Sequence, residues 1–457
     1  MEPVHLTTFD PYKIPYQARV LELLRKKWDW DSGTYPEILL SGGYGSAKST
    51  LLAHLAVTHC LFNRRALVAV CRRTLPDLKR TLIQEIIDHL APLTPGKHYI
   101  YNKSSQIIWF PHTDSRIGPV TWADKQYKKI RSLKLSGVII EEGAENNEDD
   151  FEAFLELKAR LRRRPVIKEN FLVVATNPDS PDHWLYRYFI EPQPHPTRFV
   201  FYSKPEDNPF LPAGYVEQLR NDLDPISARR YLDGEWIGRD NNAIYYCFSE
   251  KENVTEKVEL LPHLPLDVSF DFNIGVGKPM SVVIGQYDER MDLFRVIDSV
   301  TIQSLSTQDM MQELEGRGYF EPKNGGRVHV RVFGDATGAA RSTKSLHSDY
   351  DIIASYLGRI SHKLTFELCV PRSNPPIKER HNIVNSYLLN AQGRRRVLIG
   401  SNAKMLIRGL KLTALKDGAS YVEDDSKEYQ HITTALGYWI CYLHNQKGAS
   451  PLRSVTL

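Results

Sequence analysis

The chain has 457 residues, 42% of them hydrophobic and 25% charged, which predicts two or three globular domains with real cores and argues against disorder, collagen-like repeats and coiled coils. Lys plus Arg number 59 against 55 Asp plus Glu, a net charge of +4, so any nucleic-acid contact has to come from local patches. The five cysteines form no CxxC pair, no apolar run of about eighteen residues exists, and the N-terminus lacks a signal pattern. Zinc clusters, disulfide frameworks, membrane insertion and secretion are therefore not expected, and a reducing, cytoplasmic setting fits.

From about residue 36, short apolar strands alternate with helical stretches: EILLSGG, then STLLAHLAVTHCLF, then ALVAVCR. This is the rhythm of a parallel α/β sheet. Further strands are expected at Gln106 to Phe110, Gly137 to Ile140 and Phe171 to Ala175, each running into polar residues where strand ends place chemistry. We expect a first α/β domain over 1–236, an irregular connection over 237–262, and a second α/β domain over 263–457 that ends in a flexible tail, KGASPLRSVTL. Residues 263–457 hold 24 basic and 20 acidic residues, so the whole excess of positive charge falls there.

Residues 42–49, GGYGSAKS, stand between a strand and a helix. Gly42, Gly43 and Gly45 let backbone N–H groups of the loop, with Ser46 and Ala47, wrap a phosphate at a helix N-terminus, and Lys48 reaches for the outer phosphates. Ser49, with Thr50 beside it, is placed to hold Mg²⁺. Ala47 stands where the motif GxxxxGK[ST] has glycine. The strand Val138-Ile139-Ile140 ends in Glu141 and Glu142. These suit, respectively, a Mg²⁺ ligand, usually through water, and a general base for the attacking water. Arg131 and the cluster Arg160, Arg162, Arg163 and Arg164 are candidates for γ-phosphate sensing or DNA-backbone contact; the cluster suits a solvated basic face equally well. Thr176 and Asn177 end the next strand and are candidates for sensing the γ-phosphate, while Gln17 in KIPYQ offers an amide for the edge of adenine.

In the second domain, Asp271 in VSFDFN and Asp335 in VFGDATG end separate strands. Strand-end acids of this kind can converge on two divalent metals that activate water for phosphodiester cleavage. A third ligand is expected in YVEDDSKEYQHITTALGYW, from Asp425, Glu428 or His431. GRRR at 393–396, with Arg341 and Lys344, adds local positive charge for a polyanionic backbone.

In order along the chain stand GGYGSAKS, VIIEEGAE, ATNP, DNPFLPAGYVEQLRNDLDPISARRYLDGEW, SFDFN, FGDATGAARSTKS and RSNPPIKERHNIVN. With these seven blocks the sequence resembles the large subunit of the tailed-phage terminases, ATP-driven DNA-packaging motors that also cut DNA. The resemblance implies a P-loop ATPase domain of the additional-strand type followed by an RNase H-like nuclease domain. It implies ATP and Mg²⁺ at Lys48 and Ser49, Glu141 and Glu142 as the Walker B acid and catalytic glutamate, and Arg131 as an arginine acting on a neighbouring subunit's ATP. It further implies Thr176 and Asn177 as a coupling element and Gln17 on the adenine side. In the nuclease it implies Mg²⁺ or Mn²⁺ on Asp271 and Asp335; Thr434 replaces the family's third aspartate, while His431 keeps its place and Asp425 or Glu428 stands just upstream. The implied partners are double-stranded DNA, a small terminase subunit, a procapsid portal and further copies in a ring, with no membrane. The implied place of action is the host cytoplasm, outside the mature virion. A helicase or repair ATPase with a non-cleaving DNA-gripping or scaffold second domain is the alternative reading.

Overall fold

The structure is a computed structural model. It describes residues 10–26, 28, 34–123, 131–144, 147–162, 169–238, 242–272, 279–303, 306–322, 326–340, 347–416, 421–426 and 428–448. Arg163, Arg164, Arg341, Lys344 and the tail from 449 onward lie outside these residues. The chain divides into two compact units, Met1–Gln218 with Ile226–Arg239, and Leu219–Pro225 with Asp240–Leu457.

The first unit is built on an eight-stranded sheet of β1 (Glu37–Gly42), β2 (Leu67–Cys71), β3 (Ile100–Asn102), β4 (Ile107–Phe110), β5 (Ser115–Val120), β6 (Gly137–Glu141), β7 (Phe171–Thr176) and β8 (Arg198–Ser203). The strand order is β3-β4-β5-β2-β6-β7-β1-β8. Pairing is parallel from β5 across to β8 and antiparallel only at the β3–β4–β5 edge. β1 and β6 are separated by one strand, β7, which is the additional-strand arrangement expected from the sequence. Every residue of β1, β6 and β7 is buried, as strands covered by helices on both faces must be. Helices α1 (Pro15–Arg25) and α2 (Lys48–Phe62) supply Val20, Leu51, Leu52, Leu55 and Cys60 to the core on one face. Helix α3 (Asn147–Lys158) supplies Ala153, Phe154 and Leu157 to the other.

The second unit carries a seven-stranded sheet of β9 (Val254–Thr255), β10 (Leu266–Asp271), β11 (Met280–Asp288), β12 (Leu293–Ile302), β13 (Val328–Gly334), β14 (Leu364–Cys369) and β15 (Val397–Gly400). Its order is β14-β13-β10-β11-β12-β15-β9. β10, β11 and β12 form an antiparallel meander, and β13 and β14 add in parallel on the far side of β10. That sequence of pairings is RNase H-like, and β15 and β9 extend it beyond β12.

Most of the segment read as a connection belongs to the second unit. Ile244, Tyr245 and Cys247 are buried in its core and β9 pairs with β15, because apolar residues interleaved in this polar stretch find partners there. Helix α4 (Ile377–Leu388) and the long helix α5 (Tyr429–Gly448) pack against each other. α5 is fixed to the sheet by Ser269 Oγ donating to the Ala435 carbonyl at 2.7 Å and by Trp439 Nε1 donating to Asp267 Oδ2 at 3.2 Å. Asp267 is fully buried, and burial pushes its carboxyl up to about 6 although Arg331 grips it through two bonds of 2.6 and 2.7 Å. Among the described residues no helix is long and apolar enough to cross a membrane.

Candidate functional site

At the C-terminal end of β1 the loop turns tightly into α2. A Cβ at Gly43 would stand 2.2 Å from the Tyr231 carbonyl oxygen, so only glycine fits there. Ala47 adopts a left-handed conformation, φ +59°, where a side chain costs on the order of 1 kcal/mol over glycine; this is the position at which the sequence departs from the motif. The loop is braced by residues that spacing alone did not reveal. Ser203 Oγ donates to Ser46 Oγ at 3.0 Å, Asn208 Nδ2 to the Gly45 carbonyl at 2.6 Å, and Tyr44 N to the Tyr231 carbonyl at 2.8 Å. All three braces come from, or just precede, the block DNPFLPAGYVEQLRNDLDPISARRYLDGEW.

Lys48 folds back onto the loop. Its ammonium donates to the Gly42 and Gly43 carbonyls, both at 2.8 Å, to Ser46 Oγ at 3.3 Å and to Asn177 Oδ1 at 3.1 Å. Burial lowers its pKa to about 8 against the pull of Glu142 and Glu141. Ser49 Oγ donates to Glu141 Oε1 at 2.9 Å, and the other oxygen of Glu141 accepts from Thr81 Oγ1 and from Arg72 Nη1, the latter at 3.4 Å. Arg72 and Thr81 were not singled out in the sequence; Arg72 follows β2, whose end lies beside that of β6. Glu142 has φ +52°, and Asn177 Nδ2 donates to both of its oxygens at 3.5 Å. The structure thus gathers Lys48, Ser49, Glu141, Glu142 and Asn177 at the adjoining ends of β1, β7 and β6.

Other predicted residues stand elsewhere or face differently. Gln17 is fully buried, donating from Nε2 to the Ala47 carbonyl at 2.8 Å, with its Oε1 unpartnered. Thr50 Oγ1 donates to Glu85 at 2.7 Å, and Thr176 Oγ1 to the Asn177 carbonyl at 3.0 Å. Arg131 is 60% exposed and pairs with Glu156 on α3 at 3.3 Å, while Arg160 holds the same glutamate at 3.4 Å.

In the second unit, Phe270 pairs with Gly334 across β10 and β13, so Asp271 and Asp335 are side by side at two parallel strand ends. Asp335 accepts from Thr337 N at 2.6 Å and from Asn374 Nδ2 at 2.8 Å. Asp271 is buried, which raises its pKa, while His431 Nδ1 at 2.9 Å opposes the rise. Asp425 is 71% exposed and pairs with Lys416 at 2.8 Å, and Glu428 accepts from Gln303 at 3.0 Å. The carboxylate of this segment that turns inward is Glu423, which contacts His381 Nε2 at 2.8 Å and Arg380 Nη2 at 3.4 Å. Burial raises its pKa, but these two partners outweigh that and leave it lowered. Among the described residues no three His, Cys, Asp or Glu side chains already form a ligand cluster.

Residues 37–235 match the family model described as phage terminase large subunit. This stretch is thus similar in sequence to the phage terminase large subunits. Similarity in fold to a large terminase covers nearly the whole chain. The large terminase of a thermophilic bacteriophage aligns with a TM-score of 0.64 at 16% identity, covering 93% of this chain and 98% of that one. The same phage's large terminase in complex with ATP-γ-S aligns with a TM-score of 0.63 at 15% identity over the same shares. A search of curated proteins gives no match.

Proposed function

We propose that the chain is a terminase large subunit in which the first unit hydrolyses ATP to drive double-stranded viral DNA into a procapsid and the second unit cuts concatemeric DNA. The observation that carries this reading is the meeting of Lys48, Ser49, Glu141, Glu142 and Asn177 at the ends of β1, β6 and β7, in a chain that also places paired aspartates on an RNase H-like sheet. The loop amides and Lys48 would hold the phosphates of ATP, the ammonium exchanging its carbonyl partners for phosphate oxygens. Ser49 and Glu141 already touch, and their oxygens suit Mg²⁺, which shields the phosphate charges when bound. Glu142 would orient and deprotonate the attacking water, held by Asn177. Arg131, exposed, would serve the ATP of the next copy in a ring. In the second unit Asp271 and Asp335 are hard oxygen donors that fit Mg²⁺ or Mn²⁺, and such an ion supplies charge stabilisation at the phosphodiester. A small terminase subunit and a portal are the partners this reading implies, and the host cytoplasm is where it places the work.

Purified chain is expected to show ATP hydrolysis that rises with added DNA, together with plasmid cutting that requires Mg²⁺ or Mn²⁺. Strand unwinding without any cutting would replace the reading with the helicase alternative.

The Lys48 environment sets a pH dependence. A lysine with its pKa lowered to about 8 is charged below that value and neutral above it, and only the ammonium attracts phosphate. ATP affinity is therefore expected to be flat below pH 8 and to fall about tenfold per pH unit above it, with proton uptake on binding visible by calorimetry in two buffers. A Lys48→Ala chain should lose this slope, and the same slope persisting in it would refute the assignment.

A further inference from the structure

We propose that the cutting site takes one divalent ion and that the Arg380 guanidinium is its second cation. This inference rests on the nuclease reading above. A site for two ions needs carboxylates on several sides, and the position where the resemblance expects the third aspartate is Thr434. The Thr434 hydroxyl accepts from Arg380 Nη2 at 3.2 Å. Glu423, a carboxylate of the segment just upstream, is engaged by Arg380 and His381. The donor set for a second ion is therefore lacking among the described residues.

Arg380 is built into this place. It comes from α4 and is 4% exposed. Its stem crosses α5 at Gly437, where a Cβ would lie 2.7 Å from Arg380 Cδ, so a glycine clears its path. The guanidinium carbon stands 5.3 Å from the centre of the Tyr438 ring. The charge of Arg380 acts on Asp271 and on Glu423, and its Nε has no hydrogen-bond partner. A guanidinium stays protonated in proteins, and burying one requires compensating anions. Asp271 and Glu423 both feel this cation, and Asp335 stands beside Asp271 at the neighbouring strand end. Two carboxylates, completed by water and the phosphate of the substrate, are an ordinary set of partners for one Mg²⁺.

In phosphodiester hydrolysis a water oxygen bonds to phosphorus, one P–O ester bond breaks and a water proton ends on the leaving oxygen. Negative charge gathers on the phosphoryl oxygens during that exchange. A fixed guanidinium beside the ion stabilises it without having to be recruited from solution.

Mn²⁺ titration of the full chain without nucleotide, followed by calorimetry and electron paramagnetic resonance, tests the proposal. Ser49→Ala in the chain keeps the ATP site out of the count. One mononuclear ion per chain, lost in Asp271→Asn, is expected. Two ions with a spin-coupled spectrum would overturn the single-ion site and leave the nuclease reading standing; no bound ion, with no metal-dependent cutting, would overturn both. Arg380→Gln, which retains a donor for Thr434, is expected to cut about a hundredfold more slowly while still binding one ion. Unchanged cutting would remove the guanidinium from the site's chemistry. Should that variant not fold, the ion count of the parent chain still decides.

Discussion

Replacing Glu142 with glutamine is expected to lower ATP turnover by about 10²- to 10⁴-fold, the range of a lost general base, while ATP still binds. Glutamine matches the shape of glutamate, so the contact with Asn177 Nδ2 can persist, and what disappears is the ability to take a proton from water. The backbone supports the assignment. A non-glycine residue at φ +52° costs on the order of 1–3 kcal/mol, and here the unusual turn lets two consecutive glutamates serve different partners, Glu141 facing Ser49 and Arg72, Glu142 facing Asn177. Single-turnover assays with labelled ATP, beside equilibrium binding, separate the two effects. Turnover within about twofold of the parent chain would sink the role given to Glu142.

Replacing Asp271 or Asp335 with asparagine is expected to reduce DNA cutting at least about a hundredfold and to leave ATP hydrolysis intact. Asp335 is held by the Thr337 amide and Asn374, so asparagine in its place keeps the local turn and loses the charge proposed to bind the ion. Asp271 carries a second consequence. Its folded pKa is raised by burial, so its contribution to stability is full only below the unfolded value of about 3.9 and is lost as pH rises through the raised value. At neutral pH the ionised group is thus a cost, and Asp271→Asn should melt at the same temperature as the parent chain or higher. Plasmid cutting and thermal melting on one preparation give both results. A variant that melts lower yet cuts normally would contradict both parts.

Much of this could be read from the chain itself. The alternation of short apolar runs with helical stretches announced a parallel sheet, and GGYGSAKS announced a tight loop between a strand and a helix, because each is a local pattern whose physics is complete within a few residues. Strand order is not local. That β7 lies between β1 and β6 depends on β1 pairing with residues more than a hundred positions away, which spacing cannot encode. The same limit explains why Arg72, Arg380 and Glu423 were not foreseen: each becomes meaningful only beside a partner from another element. Within YVEDDSKEYQH several acids compete, and nothing in their order tells that Glu423 turns inward to His381 while Asp425 turns outward to Lys416. Gln17 teaches a related lesson, since a single amide can as well secure the loop from beneath as meet a ligand.

The amide of Asn177 has one face toward Lys48 and the other toward Glu142. Its carbonyl takes a proton donor and its NH₂ supplies one, and the two neighbours carry opposite charges. Aspartate would satisfy the lysine and repel the glutamate, leucine would fill the space and answer neither, and glutamine would carry the amide one methylene too far. Few positions in a protein have so little latitude: of the natural side chains, only asparagine has the size and the two-sided polarity that this junction between a cation and an anion demands.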